Sequence, residues 1–391
     1  MLERISESWP PVRWVADVAT LDRALERWRA VPALGIDTEA NSFHAYRERL
    51  CLLQVSDGID DWLVDPIALG DELKRLAPLF ADPAVVKIFH AAEYDLLLLR
   101  RELGIEVHGL FDTQVAMTLL KHKQTGLAAL LHDMYGIELS KKEQRSDWGR
   151  RPLTDSQLAY ARVDVHFLPE LHTRLSSELA AAGVGGHAGH EYQRLERQVI
   201  QPKPPDPQRW RKLKGVRGLD PEASARVEAL FQWRDKTAES RDVPVFRVLS
   251  NEGLVALAID PPADQKSLAS MPGLGWNAAR RIGPAILEVL ESARGRRVET
   301  LVVPRLSPED RQRRQVQRDN LEALRRWRTN RAVELDLPSE RLMHRSAVEE
   351  LARALPRDAQ SLASVVNLND WQREHLEASL LEVLQSLPDP G

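Results

Sequence analysis

The chain has 391 residues, enough for about two or three domains. Apolar residues make up 43% and charged residues 29%, ordinary globular values that exclude a fully disordered chain. With 54 basic and 58 acidic residues the formal charge is −4, which excludes a strongly basic whole-protein nucleic-acid binder but not a local basic surface.

The charge is unevenly spread. Residues 1–200 carry 23 basic and 30 acidic side chains, whereas 201–391 carry 31 and 28, so the back half leans basic. Cys51 is the single cysteine, so no internal disulfide forms and a reducing compartment is expected. The first residues show no basic-then-apolar signal pattern, and the longest aliphatic run, Leu96 to Leu99, is far too short for a bilayer. A cytoplasmic protein with no membrane partner is expected.

Strand-like and helix-like segments alternate at first. Residues 34–39, 50–55 and 61–65 read as strands, with Ser56-Asp57-Gly58 as hairpin turn chemistry between the last two. Residues 71–80 read as a helix, 85–89 as a strand and 93–102 as a helix. Val107 to Leu110 is expected as a short strand, and Asp112 as the cap of a helix over 113–121. Gly183 to Gly189 lacks the spacing of a phosphate-binding loop and reads as a flexible loop. His187 and His190 lack the spacing of a zinc site.

Thr154 and Gln157 match a capping box, and the helix after them carries Leu158, Ala161, Val165 and Leu168 on one stripe until Pro169 kinks or restarts it. Four prolines within Gln201–Pro207 suggest an extended linker. Beyond it, residues 233–292 align without a gap to 327–386, with 20 of 60 positions identical. Trp233/Trp327, Arg234/Arg328, Asp242/Asp336, Pro244/Pro338 and Arg247/Arg341 are among the matches. Such a period is too long for a solenoid and reads as two copies of one small helical domain, with the two tryptophans as core anchors. The expected organisation is an α/β domain over 1–200, a linker over 201–208, and helical domains over 209–295 and 308–391.

Four acids stand in recurring contexts. Asp37 and Glu39, two apart on a predicted strand, point to one face. Asp95 follows a second strand and opens an apolar helix, with Glu93 as a rival two residues earlier. Asp164 lies one helical turn after Tyr160. Converging carboxylates repel unless cations neutralise them, and hard divalent ions favour all-oxygen sites. Two such ions could clamp the oxygens of an in-line phosphoryl displacement. Tyr160 is placed to orient or deprotonate a water.

Asp37-x-Glu39, Asp95 and Tyr160-x-x-x-Asp164 resemble the three exonuclease motifs of the DEDD superfamily, tyrosine subtype. Gly35-Ile-Asp-Thr-Glu39, Leu63-Val-Asp-Pro66, Phe111-Asp-Thr-Gln114 and Leu158-Ala-Tyr-Ala-Arg-Val-Asp164 look like the ribonuclease D family, and the tandem repeat resembles its HRDC domains. The resemblance implies an RNase H-like α/β domain followed by two all-α HRDC-like domains. It implies a 3′-to-5′ exoribonuclease that trims RNA 3′ ends, tRNA precursors above all, and releases nucleoside 5′-monophosphates. Asp37, Glu39, Asp95 and Asp164 would ligate two Mg²⁺ or Mn²⁺ ions, with Tyr160 handling the water. No obligate protein partner is expected. The same tetrad also serves DNA exonucleases, and a third reading is a non-catalytic RNA binder on a nuclease fold.

Weaker signals surround this set. Lys141, Lys142, Arg145, Trp148 and Arg150 suggest a basic, aromatic lip that grips phosphates and stacks a base. Asp112 reads as a helix cap, and His90 and His166 as structural. Met271-Pro-Gly-Leu-Gly275 resembles a helix-hairpin-helix turn, whose glycines its repeat partner Val365 to Asn369 lacks.

Overall fold

The structure is a computed structural model that describes residues 9–139, 142–198, 206–271, 274–299 and 307–390. Contacts divide the chain into two units: one gathers 1–39, 50–200 and 306–391, the other 40–49 and 201–305. No helix of the described residues is long and apolar enough to cross a membrane.

The first unit is built on a six-stranded sheet. Its strands are β1 (Arg13–Val15), β2 (Ala33–Ala40), β3 (Leu50–Ser56), β4 (Asp61–Val64), β5 (Val86–Phe89) and β6 (Leu110–Asp112), in the spatial order β1-β4-β3-β2-β5-β6. β3 and β4 form the expected antiparallel hairpin, while β2/β5 and β5/β6 are parallel. The central strand β3 is buried along its whole length, so the sheet is covered on both faces.

Helices α1 (Val18–Arg29), α2 (Glu93–Leu103), α3 (Thr113–Leu119), α4 (Leu127–Tyr135), α5 (Asp155–His166), α6 (Leu168–Ala181) and α7 (Gly185–Arg197) accompany it. α5 opens with the capping box read from the sequence: Thr154 accepts from the Gln157 amide, and Gln157 accepts from the Thr154 amide. Pro169 stands in the first turn of α6, so it begins a new helix rather than kinking the old one.

Three local expectations are corrected. Residues 71–80 are not one helix: a 3-10 stretch, Gly70–Leu76, precedes a short α-helix, Ala77–Ala81, with Pro78 in its first turn. The strand expected at 107–110 starts at Leu110, because Gly109 sits at φ +73° hard against the backbone of Pro83. Gly183 to Gly189 is not a loop throughout. Gly185 opens α7, where His187, Ala188, Glu191, Tyr192 and Leu195 form a buried stripe whose packing outweighs the glycines' poor helix propensity.

Within the second unit lie α8 (Pro221–Ser240), α9 (Val245–Val248), α10 (Asn251–Ile259), α11 (Gln265–Ala269) and α12 (Trp276–Ser292). The second repeat, in the first unit, mirrors them with α13 (Pro308–Leu335), α14 (Ser339–Leu342), α15 (Arg345–Ala354), α16 (Ala359–Val365), α17 (Asp370–Gln372) and, after a π-helical turn, α18 (Ala378–Ser386).

The repeated identities do the same work in both copies. Arg234 donates to the Leu249 carbonyl and Arg328 to the equivalent Met343 carbonyl, each at 3.0 Å. Asp242 and Asp336 both take left-handed φ at a helix end, where Asp tolerates it better than most residues. Asp264 and Asp358 close matching capping boxes with Ser267 and Ser361. Trp327 is buried, and Trp233 packs half-buried on the first repeat's core.

The second repeat packs on α7. The Arg341 carbonyl accepts only, so the His187 Nε2–H donates to it at 2.9 Å, and Nδ1 accepts from Asn369. The His187 ring stacks on Trp371. Burial depresses the His187 pKa, which agrees with this neutral tautomer. The Gln201–Pro207 linker and the Met271–Gly275 turn fall partly outside the described residues.

Candidate active site

β2 carries Asp37 and Glu39 on one face by the two-residue repeat of a strand. α5 brings Asp164 to them, and a glycine permits the approach. A Cβ on Gly35 would lie 2.8 Å from the Val165 carbonyl oxygen and 2.9 Å from Leu168 Cβ, so only glycine allows strand and helix this close. One carboxylate oxygen from each of Asp37, Glu39 and Asp164 then falls within 4.8 Å of the others.

Asp95 enters from the first turn of α2 and is buried. It accepts from the Thr38 hydroxyl at 2.5 Å, Thr38 standing between Asp37 and Glu39. Glu93 is exposed and accepts from Gln198, away from the other acids. The turn that launches α2 is clamped by Asp112, whose two oxygens accept from the Ala91 and Ala92 amides and which also caps α3 through Gln114 and Val115. Ala91 holds a left-handed φ of +63° in that turn.

These groups line one cleft of about 920 Å³. Asp37, Glu39, Asp95, Tyr160 and Asp164 occupy one wall, and Leu127, His132 and Leu139 from α4 and its following loop line another. No Lys or Arg is among the described residues lining it, whereas Asp133 and Glu138 add acidity. Burial, then the mutual repulsion of Asp95, Asp164 and Glu39, holds Asp37 well above the usual carboxylate range. Glu39 is raised by burial, then by Asp164 and Asp95. Burial lifts Asp95 to about 7 against the Thr38 bond, and lifts Asp164 to about 8 against a bond from Tyr160. Buried like charges with no protein counter-charge fit hard divalent cations, and the all-oxygen donor set is the one such ions take.

Tyr160 packs in a cluster with Cys51, Leu52, Leu63 and Trp148, which holds its ring while the hydroxyl reaches the cleft and Gln144. Burial, then Asp164, Glu39 and Asp37, pushes the phenol upward, so it stays protonated. Trp148 corrects an expectation. It has no exposed surface and its indole donates to the Glu143 carbonyl, so it supports Tyr160 and offers no face to a base. Lys142, Arg145 and Arg150 are exposed, and Lys141 lies outside the described residues.

Sequence reasoning missed several supports. Buried Gln54 donates to Asp37 at 3.2 Å. Thr38 serves Asp95, and Gln144 serves Tyr160. A polar residue inside the apolar run of β3 was the one available signal for Gln54. His90, in the cleft wall, bonds Thr113, whereas His166 bonds Asp61 and stacks on Trp9.

Comparison with known proteins agrees with this geometry. Residues 12–180 match the family model for 3′-5′ exonucleases, and residues 223–290 and 317–384 each match the HRDC domain. The chain is 30% identical to ribonuclease D of Pseudomonas paraeruginosa over 383 residues, covering 96% of this chain and 98% of that one. It is 32% identical to ribonuclease D of Zymomonas mobilis over 73% of this chain and 74% of the other. It is also 32% identical to the yeast exosome complex exonuclease RRP6 over 68% of this chain, but that match spans 38% of the yeast protein. Among solved structures, Escherichia coli RNase D aligns over 97% of this chain and all of its own, at TM-score 0.63 and 25% identity. The catalytic core of RRP6 from Trypanosoma brucei aligns at TM-score 0.64 and 26% identity, over 73% of this chain and 80% of that core. A mixed α/β exonuclease domain followed by two HRDC domains, matched over nearly the whole chain by the ribonuclease D of Pseudomonas paraeruginosa and of Escherichia coli, makes this chain a member of the ribonuclease D family of 3′-to-5′ exoribonucleases.

Proposed function

We propose that the cleft hydrolyses the last phosphodiester at an RNA 3′ end with two divalent cations, Mg²⁺ or Mn²⁺, and that tRNA precursors are the main substrates. The observation that carries this reading is the convergence of Asp37, Glu39 and Asp164 within 4.8 Å, in a cleft that Asp95 and Tyr160 also line. Asp37, Glu39, Asp95 and Asp164 would hold the cations. When bound, the cations supply Lewis-acid stabilisation of the charge that develops on the phosphoryl oxygens. Gln54 and Thr38 orient two of the ligands.

The protonated Tyr160 hydroxyl already donates to Asp164, so an attacking water would donate to its phenolic oxygen and be oriented by it, which favours the orienting role over the base. Water adds to phosphorus, the bond from phosphorus to the upstream O3′ breaks, and the leaving oxygen takes a proton. The products are a nucleoside 5′-monophosphate and an RNA one residue shorter. The exposed Lys142, Arg145 and Arg150, near the cleft residue Gln144 in sequence, support phosphate contact, a role also expected of Lys141. The buried Cys51 suits a cytoplasmic setting.

The test is a time course on matched 5′-labelled RNA and DNA with Mg²⁺, Mn²⁺ or EDTA, for wild type, Asp37→Ala and Tyr160→Phe. An RNA ladder shortening from the 3′ end is expected, lost in EDTA and with Asp37→Ala. Tyr160→Phe should cost about 10²-fold in kcat. Equal laddering of DNA would refute RNA selectivity, and cleavage that survives EDTA would refute the metal role.

A further inference from the structure

Helix α13 is longer than its fold requires. Its counterpart α8 begins at Pro221, which aligns with Gln315, yet α13 begins at Pro308, seven residues or about two turns earlier. The HRDC match starts only at residue 317, and the first buried residue of α13 is Asn320. From Ser307 to Asp319 every residue is exposed except half-buried Val316. No core therefore holds this arm. It continues a packed helix and is closed by Ser307, which accepts from the Asp310 amide.

The arm is cationic on one side. Arg311, Arg314 and Arg318 recur at i, i+3 and i+7, a single stripe about 10 Å long, with Arg313 at its flank. Among the described residues no carboxylate pairs with any of the four. The acids Glu309 and Asp310 stand in the first turn, where they meet the positive end of the helix dipole, and the arm's third acid, Asp319, accepts from Gln315. The first repeat has no such stripe, for Asp220 and buried Ser224 stand where α13 has Arg314 and Arg318. Guanidinium groups in a row without carboxylate partners, Arg318 donating to the neutral Gln315, complement a polyanion with regularly spaced phosphates, and the stripe spans about three nucleotide steps of a duplex strand.

We propose that this arm binds the sugar-phosphate backbone of the RNA body behind the 3′ end, so that longer, structured RNAs are held outside the cleft. This rests on the exoribonuclease reading above and adds to it a surface that lies mostly before the second HRDC match and ends at its first residues. The contact is electrostatic and reads no sequence.

The test compares wild type, a triple Arg311→Gln, Arg314→Gln, Arg318→Gln variant, and the corresponding triple Lys variant. The substrates are an oligoribonucleotide only long enough to fill the cleft and an RNA hairpin with a single-stranded 3′ tail. For the hairpin the Gln variant should show KM raised about tenfold with kcat unchanged. Its slope of log KM against log salt should be shallower by about 2. The short RNA should be degraded as by wild type, and the Lys variant should stay near wild type on both. An unchanged hairpin KM and salt slope, an equal rise on the short RNA, or a Lys variant as impaired as the Gln variant would each overturn the proposal. Unchanged RNA handling would point instead to an acidic protein partner. If wild type degraded neither RNA, the exoribonuclease reading would fail. Hairpin binding measured by anisotropy in an Asp164→Asn background would then still decide the arm, through the same difference in affinity and salt slope.

Discussion

The Thr38 hydroxyl donates to Asp95 across 2.5 Å and so ties β2 to the first turn of α2. Thr38 faces away from its neighbours Asp37 and Glu39 along the strand, yet it orients the carboxylate that arrives from another element. Thr38→Val keeps the shape and removes the donor. Affinity for Mn²⁺ should fall about tenfold or more, as for other partners of metal ligands, and Thr38→Ser should restore much of it. Calorimetric titration of the three proteins checks this.

Removing one buried charge should separate stability from activity. Asp164→Asn relieves repulsion toward Asp37, Glu39 and Asp95 where Asp164 is ionised. In EDTA at pH 9, above the raised pKa of Asp164, the variant should melt higher than wild type, by about 1–3 kcal/mol of stability. Nuclease activity should be lost. A lower melting temperature in EDTA would show that Asp164 holds the fold rather than strains it.

The same repulsion sets the response to pH. The folded-state pKa values of Asp95 and Asp164 are raised, to about 7 and about 8. Metal-free stability from these groups is therefore complete below the unfolded carboxylate range and declines as pH rises through about 7 to 8. A divalent cation replaces the protons and removes the repulsion. The gain in melting temperature on adding Mg²⁺ should widen from pH 6 to pH 9, and binding should release protons, measurable by calorimetry in buffers of different ionisation enthalpy. A gain independent of pH would contradict this.

Gly35→Ala probes the approach of strand to helix. The added Cβ would stand 2.8 Å from the Val165 carbonyl, which is rigid backbone. A destabilisation of about 1–3 kcal/mol is expected from overpacking. Asp164 would shift away from Asp37, and kcat should fall by about 10²-fold for a displacement of about 1 Å. Denaturant melts and kcat measured together check both effects.

Much of this was legible in the sequence because it is local. The spacing of Asp37 and Glu39 on a strand, of Tyr160 and Asp164 on a helix, and of Thr154 and Gln157 at a cap depends only on backbone periodicity. The tandem repeat was legible because the same contacts, such as those of Arg234 and Arg328, demand the same residues. Other features depended on long-range contacts. Trp148 is an aromatic in a basic segment by sequence, and only the packing of Cys51, Leu63 and Tyr160 around it makes it core. Glu93 and Asp95 sit two residues apart, and the direction of α2, set by the Asp112 clamp, decides which of them faces the cleft. Gln54 gains its role from Asp37 on a neighbouring strand, and glycine-rich α7 gains its helix from the buried stripe beneath it. Sequence by itself determined the elements and the chemistry of the acids, since those follow from residue type and spacing. Tertiary structure alone decided which side chains meet, because burial and distance arise only when segments far apart in the chain are packed together.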